Sequence, residues 1–176
     1  MENMNLSKLI TEKEIQKRIK EIGASLTDRF RDKEVVAVCV LKGSFMFYSD
    51  LIRAIDTEVI CDFFGVSSYQ NSMHSSGEVK LTLDLSTSLE GKHVLLVEDI
   101  VDTGLTMNYL QHMLQTRKPA SITSISLLHK PAAKKVDCQL DEVGFEIKDN
   151  FVVGYGLDYQ GYYRNLPYIA EVGNIN

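Results

Sequence analysis

Short apolar runs rich in β-branched residues, separated by segments with helical spacing, constrain this chain more than any other feature. Residues 35–41 and 94–97 are continuous apolar runs, as expected for strands buried on both faces of a sheet. Apolar residues also recur three and four apart near the N-terminus, which predicts an amphipathic helix through Ile15, Ile19, Ile22, Leu26 and Phe30. Strands that alternate with helices predict an α/β fold with a central, mostly parallel sheet.

The remaining elements follow from the same patterns. Thr11 and Glu14 are spaced as a capping box at the start of the first helix. Further helices are predicted over 45–55 and 104–115, and further strands over 58–66, 79–85, 122–129, 143–147, 151–157 and 168–172. Residues 67–78 are polar and small and have no periodicity, which is typical either of a mobile lid or of a simple connection.

Composition excludes several classes of protein. The 176 residues favour one domain spanning 1–176, and the net charge of -5 argues against an electrostatic nucleic-acid binder. The longest apolar run is too short to cross a membrane, and the N-terminus does not resemble a signal peptide. Three widely spaced cysteines fit the reducing cytoplasm better than a disulfide framework or a zinc site.

The most informative segment is the string Val-Leu-Leu-Val-Glu-Asp-Ile-Val-Asp-Thr-Gly-Leu-Thr at 94–106. An apolar strand is expected to end at Glu98 and Asp99, and Thr103-Gly104-Leu105-Thr106 is expected to open a helix. The free N–H groups and the dipole of a helix N-terminus favour an anion, so this turn predicts a phosphate cradle without a lysine.

The carboxylates of this string suggest chemistry beyond anion binding. Adjacent carboxylates such as Glu98 and Asp99 repel one another, and a magnesium ion or a vicinal diol would compensate for that repulsion. Asp102, at the edge of the cradle, is placed to accept a proton from a substrate nitrogen. Simple helix capping beside a solvated strand end is the plainer alternative, but it leaves most of the string unexplained.

The string resembles the ribose-phosphate-binding signature of the type I phosphoribosyltransferases. Flanking motifs, which extend the resemblance from Leu41 to Arg164, are similar to those of the branch that uses 6-oxopurines. This resemblance implies the type I phosphoribosyltransferase fold with a small hood region beside the sheet. It also implies transfer of a 5-phosphoribosyl group from phosphoribosyl pyrophosphate to hypoxanthine or guanine, with pyrophosphate released, as in purine salvage.

The resemblance also implies roles for individual residues. Leu41, Lys42 and Gly43 would contact pyrophosphate, with a non-proline cis peptide between Leu41 and Lys42. Ser68 and Tyr69 would belong to a lid loop, 67–78, that closes over the reacting centre. Thr103, Gly104 and Thr106 would anchor the 5-phosphate, and Asp102 would be catalytic.

On the base side, Lys130 would donate to the exocyclic oxygen of the purine, Phe151 would stack on the ring, and the Val152 backbone would bond the base edge. Arg164 would bind pyrophosphate, and Glu98 and Asp99 would hold the ribose. Asp158 would lie near the base edge, and Mg²⁺ would be held near Glu98, Asp99 and Asp158. The family further implies a cytoplasmic homodimer or homotetramer. Where relatives often have arginine beyond the lysine, this chain has Lys134 and Lys135 after Pro131-Ala132-Ala133, which leaves contacts from that stretch open.

Two other classes of protein share parts of this pattern. A regulator on the same fold could bind the sugar diphosphate without useful catalysis, but no basic tail or additional DNA-binding domain is visible in the sequence. A phosphorelay receiver also has an acid pair at a strand end, yet the residues beyond Glu98 are few for the rest of such a domain. No GxxxxGK[ST] string occurs, which disfavours a P-loop NTPase.

Overall fold

The computed structural model describes residues 5–68 and 79–173 of the chain. The three α-helices of the described residues are α1 (Glu12–Phe30), α2 (Phe45–Ala54) and α3 (Leu105–Gln115). The β-strands of the described residues are β1 (Leu6–Ile10), β2 (Val35–Leu41), β3 (Val59–Ser68), β4 (Val79–Leu83), β5 (His93–Val101), β6 (Ser121–His129), β7 (Glu142–Glu146), β8 (Val152–Val153) and β9 (Ile169–Val172). A short 3-10 turn, Pro131–Ala133, follows β6.

The six-stranded sheet has the order β4-β3-β2-β5-β6-β7 and is parallel except for β4. Residues 36, 38 and 40 of β2 contribute to the apolar cluster that includes α3, and residues 35, 37 and 39 to the cluster with α1 and α2. Burial on both faces is the reason that β2 is apolar throughout. The predicted α/β fold with a mostly parallel sheet is therefore confirmed.

A second sheet, with the order β1-β9-β8, is antiparallel and corresponds to the expected hood region. It joins the two ends of the described chain, since Leu6 pairs with Val172 and Val152 pairs with Glu171. The hood therefore supports the segment that follows Val153 and leads back toward the large sheet.

The capping box at the start of α1 is confirmed. The Glu14 N–H donates to the Thr11 Oγ1 at 3.3 Å, and the Thr11 N–H donates to the Glu14 Oε2 at 2.8 Å. These two bonds satisfy donors that the first turn of a helix leaves free. The helix consequently begins where the sequence places it.

Two expectations about strands were wrong in detail, and one strand was not predicted. The strand predicted over 151–157 is limited to Val152–Val153, because Gly154, Tyr155 and Gly156 adopt positive φ angles of 99°, 49° and 100° that turn the chain. Strand β5 does not end at the carboxylates but continues to Val101. Strand β1 had no predicted counterpart, because only Ile10 of its residues is buried and no apolar alternation marks it.

The helices described for this chain are too short or too polar to cross a membrane. The predicted lid, 67–78, lies outside the described residues apart from the backbone of Ser67 and Ser68, which ends β3. Tyr69 also lies outside them.

Candidate active site

The carboxyl ends of the parallel strands meet at one edge of the large sheet, and the predicted site residues cluster there. A cavity of about 360 Å³ opens at the end of β5. It is lined by Glu98, Asp99, Ile100, Val101, Asp102, Thr103, Gly104, Thr106 and Met107. The contiguous string that suggested a site therefore forms the wall of a single cavity.

The predicted phosphate cradle lies where β5 gives way to α3. Gly104 precedes the helix with φ +83°, and its carbonyl accepts the N–H of Asn108 at 2.9 Å. The earlier amides of the helix lack helical acceptors, as at any helix N-terminus. A Cβ on Gly104 would lie 2.4 Å from the carbonyl oxygen of Val136, so both the backbone angle and the close contact require glycine here.

Glu98 and Asp99 form a carboxylate pair in which Glu98 is buried and Asp99 is partly exposed. The Asp99 N–H donates to the Glu98 Oε1 at 3.2 Å, and the Ile100 N–H donates to the Asp99 Oδ1 at 2.7 Å. The Glu98 Oε2 is buried without a hydrogen-bond partner among the described residues. Burial and the neighbouring Asp99 charge raise the pKa of Glu98 well above its ordinary value, and burial also raises the pKa of Asp99. The pair therefore needs a proton or a cation to offset its charge.

The donor atoms of this pair suit Mg²⁺, which is typically held by one or two carboxylates together with substrate oxygens. The buried, unpartnered Glu98 Oε2 is an acceptor that such a shell would satisfy. Across residues 5–68 and 79–173, no group of three His, Cys, Asp or Glu side chains is arranged to hold a metal. Asp158 instead pairs with Arg164 at 2.6 Å and accepts the Gly161 N–H at 2.7 Å.

The turn after β2 touches this acid pair. The peptide between Leu41 and Lys42 is cis, as the resemblance implied. A Cβ on Gly43 would lie 1.4 Å from the Asp99 Oδ2, so a side chain at this position would displace the Asp99 carboxylate. The predicted pyrophosphate-binding turn is thus in contact with the end of β5.

The segment after β8 closes the same side of the site. A Cβ on Gly156 would lie 2.0 Å from the carbonyl oxygen of Gly43, so the two backbones are in direct contact. The Arg164 Nη1 donates to the Gly156 carbonyl at 2.6 Å, and its Nη2 pairs with Asp158. The Arg164 guanidinium also lowers the pKa of Asp99 in part, although burial of Asp99 outweighs this effect. Arg164 and Asp158 therefore belong to the same site as the acid pair.

Lys130 follows β6 and lies between two carboxylates. Its side chain is 9% exposed, and its Nζ is 3.8 Å from the Asp102 Oδ2 and 3.3 Å from the Asp149 Oδ1. The predicted catalytic carboxylate and the predicted base-selecting ammonium are therefore neighbours. Sequence reasoning missed Asp149, because nothing local marks a carboxylate in the turn before β8 as a partner of a lysine 19 residues earlier.

Phe151 and Val152 lie at the hood. Phe151 is 51% exposed and packs edge-to-face on Tyr159 with ring centroids 5.9 Å apart, so about half of its surface remains open to a stacking partner. Val152, in β8, is buried and pairs with Glu171 of β9. Of the predicted residues, Tyr69 cannot be placed, and Ser68 is placed by its backbone alone.

The sequence signature of the phosphoribosyl transferase domain matches residues 7–160. This chain belongs to the phosphoribosyl transferase family. A hypoxanthine-guanine phosphoribosyltransferase of Bacillus subtilis (strain 168) is 55% identical over 162 residues, covering 92% of this chain and 90% of its own. A second, from Staphylococcus aureus (strain Mu50), is 49% identical over 164 residues, covering 93% of this chain and 92% of its own.

Solved structures of other phosphoribosyl transferases agree in fold. A hypoxanthine phosphoribosyltransferase from Staphylococcus aureus superposes with a TM-score of 0.90 at 48% identity, covering 95% of this chain and 91% of its own. A hypoxanthine-guanine phosphoribosyltransferase from Bacillus anthracis gives 0.90 at 44% identity, covering 95% and 98%. The expected type I phosphoribosyltransferase fold is therefore confirmed.

Proposed function

We propose that this phosphoribosyl transferase moves the 5-phosphoribosyl group of phosphoribosyl pyrophosphate onto hypoxanthine and guanine, giving IMP or GMP and pyrophosphate. One observation carries the proposal: a glycine-based phosphate cradle, the Glu98–Asp99 acid pair and a lysine–carboxylate pair meet at one sheet edge. The names of the Bacillus subtilis and Staphylococcus aureus relatives support the same substrates.

The base would be selected by Lys130. Its ammonium is a donor without acceptor capacity, so it pairs with the exocyclic oxygen of a 6-oxopurine and is mismatched to the amino group of adenine. The exposed ring of Phe151 would stack on the purine, and the backbone of Val152 would bond the base edge. Hypoxanthine and guanine meet these requirements, whereas adenine does not.

The reaction exchanges one bond of the ribose C1′ for another. The bond from C1′ to the pyrophosphate oxygen breaks as a purine ring nitrogen bonds to C1′, and the electron pair leaves with pyrophosphate. Asp102 would accept the proton that the base loses from N7. Thr103, Gly104 and Thr106 would hold the 5-phosphate, and Leu41, Lys42, Gly43 and Arg164 would hold the pyrophosphate.

Mg²⁺ bound near Glu98, Asp99 and Asp158 would neutralise charge on the pyrophosphate leaving group. The fit rests on the buried carboxylate oxygen of Glu98 that lacks a partner among the described residues. Asp158 would contribute from its place beside Arg164. The loop 67–78, including Ser68 and Tyr69, would act as a lid that keeps water from the sugar as it develops positive charge.

The protein would act in the cytoplasm as a homodimer or homotetramer, without nucleic-acid or membrane partners. Two large apolar side chains on the α2 side of β3 are exposed, Phe45 at 38% and Phe63 at 42%, and the Phe63 ring packs on Tyr48 of α2. Apolar side chains grouped on a surface favour burial against another protein, here a second copy of the chain. Sedimentation of the purified protein would determine the oligomeric state.

Turnover with phosphoribosyl pyrophosphate, Mg²⁺ and each of hypoxanthine, guanine, xanthine and adenine tests the activity. Nucleotide formed from hypoxanthine or guanine and not from adenine is the expected result. A chain that binds the sugar diphosphate but forms no nucleotide from any base would be a regulator on the same fold.

Asp102→Asn tests the catalytic assignment. The side chain is half exposed and its loss of charge should leave the fold intact, whereas kcat should fall about 10²–10⁴-fold, the usual contribution of a general base. Steady-state rates and a thermal melt measure the two effects. Unchanged turnover would remove Asp102 from this role.

A further inference from the structure

The peptide that joins Thr103 to Gly104 is held from behind by a separate loop. The N–H groups of Lys135 and Val136 both donate to the Thr103 carbonyl, at 2.9 and 3.1 Å. Because a trans peptide is planar, the N–H of Gly104 points away from that loop. No acceptor for it occurs within residues 5–68 and 79–173, and Gly104 lines the cavity. Two bonds from one loop therefore aim this amide.

Helix α3 fixes the loop in turn. The Asn108 Nδ2 donates to the Asp137 carbonyl at 2.9 Å. One turn later, the Gln111 Nε2 donates to the Gln139 carbonyl at 2.6 Å, and its Oε1 accepts the Gln139 N–H at 3.3 Å. Residues three apart lie on one face of a helix, so Asn108 and Gln111 bind successive parts of the loop.

The backbone of the loop is in close contact with the backbone of the cradle at Gly104. A Cβ on Gly104 would lie only 2.4 Å from the Val136 carbonyl oxygen, which is closer than such atoms approach in proteins. The other bond that holds Asp137 is an ion pair with Lys134 at 2.6 Å, in which the Asp137 side chain is 96% exposed. Exposed pairs of this kind contribute little. Among the described residues, Asn108 supplies the side-chain hydrogen bond that reaches residues 134–137 from outside the loop, whereas Cys138 and Leu140 hold its later part by apolar packing.

We propose that Asn108 is a positioning residue for the 5-phosphate of the ribosyl substrate. It acts through the Asp137 carbonyl and the N–H groups of Lys135 and Val136 on the orientation of the Thr103–Gly104 peptide. The inference rests on the proposed function, because it assigns the 5-phosphate to this cradle. It gives residues 134–139 a role in phosphate binding through their backbone.

Asn108→Leu removes the donor and keeps a similar side-chain volume. The KM for phosphoribosyl pyrophosphate and the Kd for GMP should each rise about 5–10-fold, whereas kcat and the KM for hypoxanthine should stay within about twofold. Gln115→Leu is the matched control on the same helix, because Gln115 is exposed and its side chain has no hydrogen-bond partner among the described residues. It should leave all four constants unchanged.

Equal changes in the constants for both substrates, or an unchanged KM for phosphoribosyl pyrophosphate, would overturn the inference. If Asn108→Leu melts at a much lower temperature than the wild type, Gln111→Leu replaces it, and the same selective rise is expected. If the wild type forms no nucleotide from any base, the proposed function fails instead. Calorimetric titration with ribose 5-phosphate then decides the inference, because weaker binding by the variant supports it and equal binding refutes it.

Discussion

Replacing the buried carboxylate of Glu98 with an amide should stabilise the fold while it impairs the enzyme. In Glu98→Gln the Oε1 can still accept the Asp99 N–H, and the new Nε2 occupies the place of an oxygen that has no partner among the described residues. The Glu98 and Asp99 side chains are within hydrogen-bonding reach of one another, so the amide can donate to the Asp99 carboxylate. A repulsive contact is thereby replaced by a hydrogen bond.

An unsatisfied buried acceptor costs about 1–3 kcal/mol, so the free energy of unfolding should rise by about that amount. For a chain of this size, each kcal/mol raises Tm by about 2–4 °C, which gives a gain of about 2–12 °C. Activity should fall about 10–100-fold, as for residues that support a bound metal. Thermal melts in the presence of a chelator measure the stability, and steady-state turnover with Mg²⁺ measures the loss.

The gain should depend on pH. The pKa of Glu98 is raised in the folded protein, so the unfolded chain gives up this proton more readily. Wild-type stability is therefore unaffected below the ordinary value of 4.5 and decreases as the pH rises above it. The advantage of Glu98→Gln should be small at about pH 5 and larger at about pH 8. A variant that is less stable at pH 8, or equally advantaged at both, would refute this reasoning, and the exposed Glu90→Gln is the neutral control.

Three further predictions follow from contacts at and near the site. Lys130→Met should lower kcat/KM for hypoxanthine about 10–100-fold through loss of a charged donor, and an unchanged value in initial-rate assays would exclude Lys130 as the selector. The Asp62 carboxylate accepts hydrogen bonds from the N–H groups of residues 63, 86 and 87. Burial raises the pKa of Asp62, but these bonds lower it by a larger amount. Asp62→Asn should therefore lower the free energy of unfolding at pH 7 by about 1–3 kcal/mol, as measured by urea unfolding. That difference should shrink as the pH falls below the ordinary value of 3.8, and a constant difference would contradict the assignment. Gly156→Ala should greatly weaken binding of phosphoribosyl pyrophosphate, because the new Cβ would lie 2.0 Å from the Gly43 carbonyl oxygen. A Cβ on Gly161 would meet no atom within 4 Å, so Gly161→Ala should lower the stability of the fold by only about 1–2 kcal/mol, through the backbone strain of a φ angle of +85°. Equal effects of the two alanines on this affinity would show that the contact with Gly43 is unimportant.

The parts of the fold that could be predicted are those whose cause is local. The apolar run of β2 follows from burial on both faces, and the start of α1 follows from bonds between Thr11 and Glu14. Strand β1 could not be predicted in this way, because its partner β9 lies at the other end of the described chain. The turn at Tyr155 also escaped prediction, since a positive φ at a tyrosine depends on tertiary contacts.

In the candidate site, too, the local features could be predicted from the sequence and the contacts between distant segments could not. The cavity wall from Glu98 to Met107 is one contiguous stretch, so its residue types could indicate its chemistry. The contacts of Gly43 with Asp99, and of Lys130 with Asp149, join segments that are distant in sequence. No local pattern encodes such pairs, because each residue alone reads as an ordinary turn glycine or a solvated charge.

The place of β9 between β1 and β8 has a consequence for synthesis on the ribosome. Strand β1 is translated before β9, so it has no partner in the hood until Ile169–Val172 has been made. The phosphate cradle and the loop behind it need nothing beyond residue 139 for the bonds described, whereas Phe151 and Val152 are supported by β9. A nascent chain should therefore complete its cradle for the 5-phosphate before Phe151 and Val152 gain the support of β9.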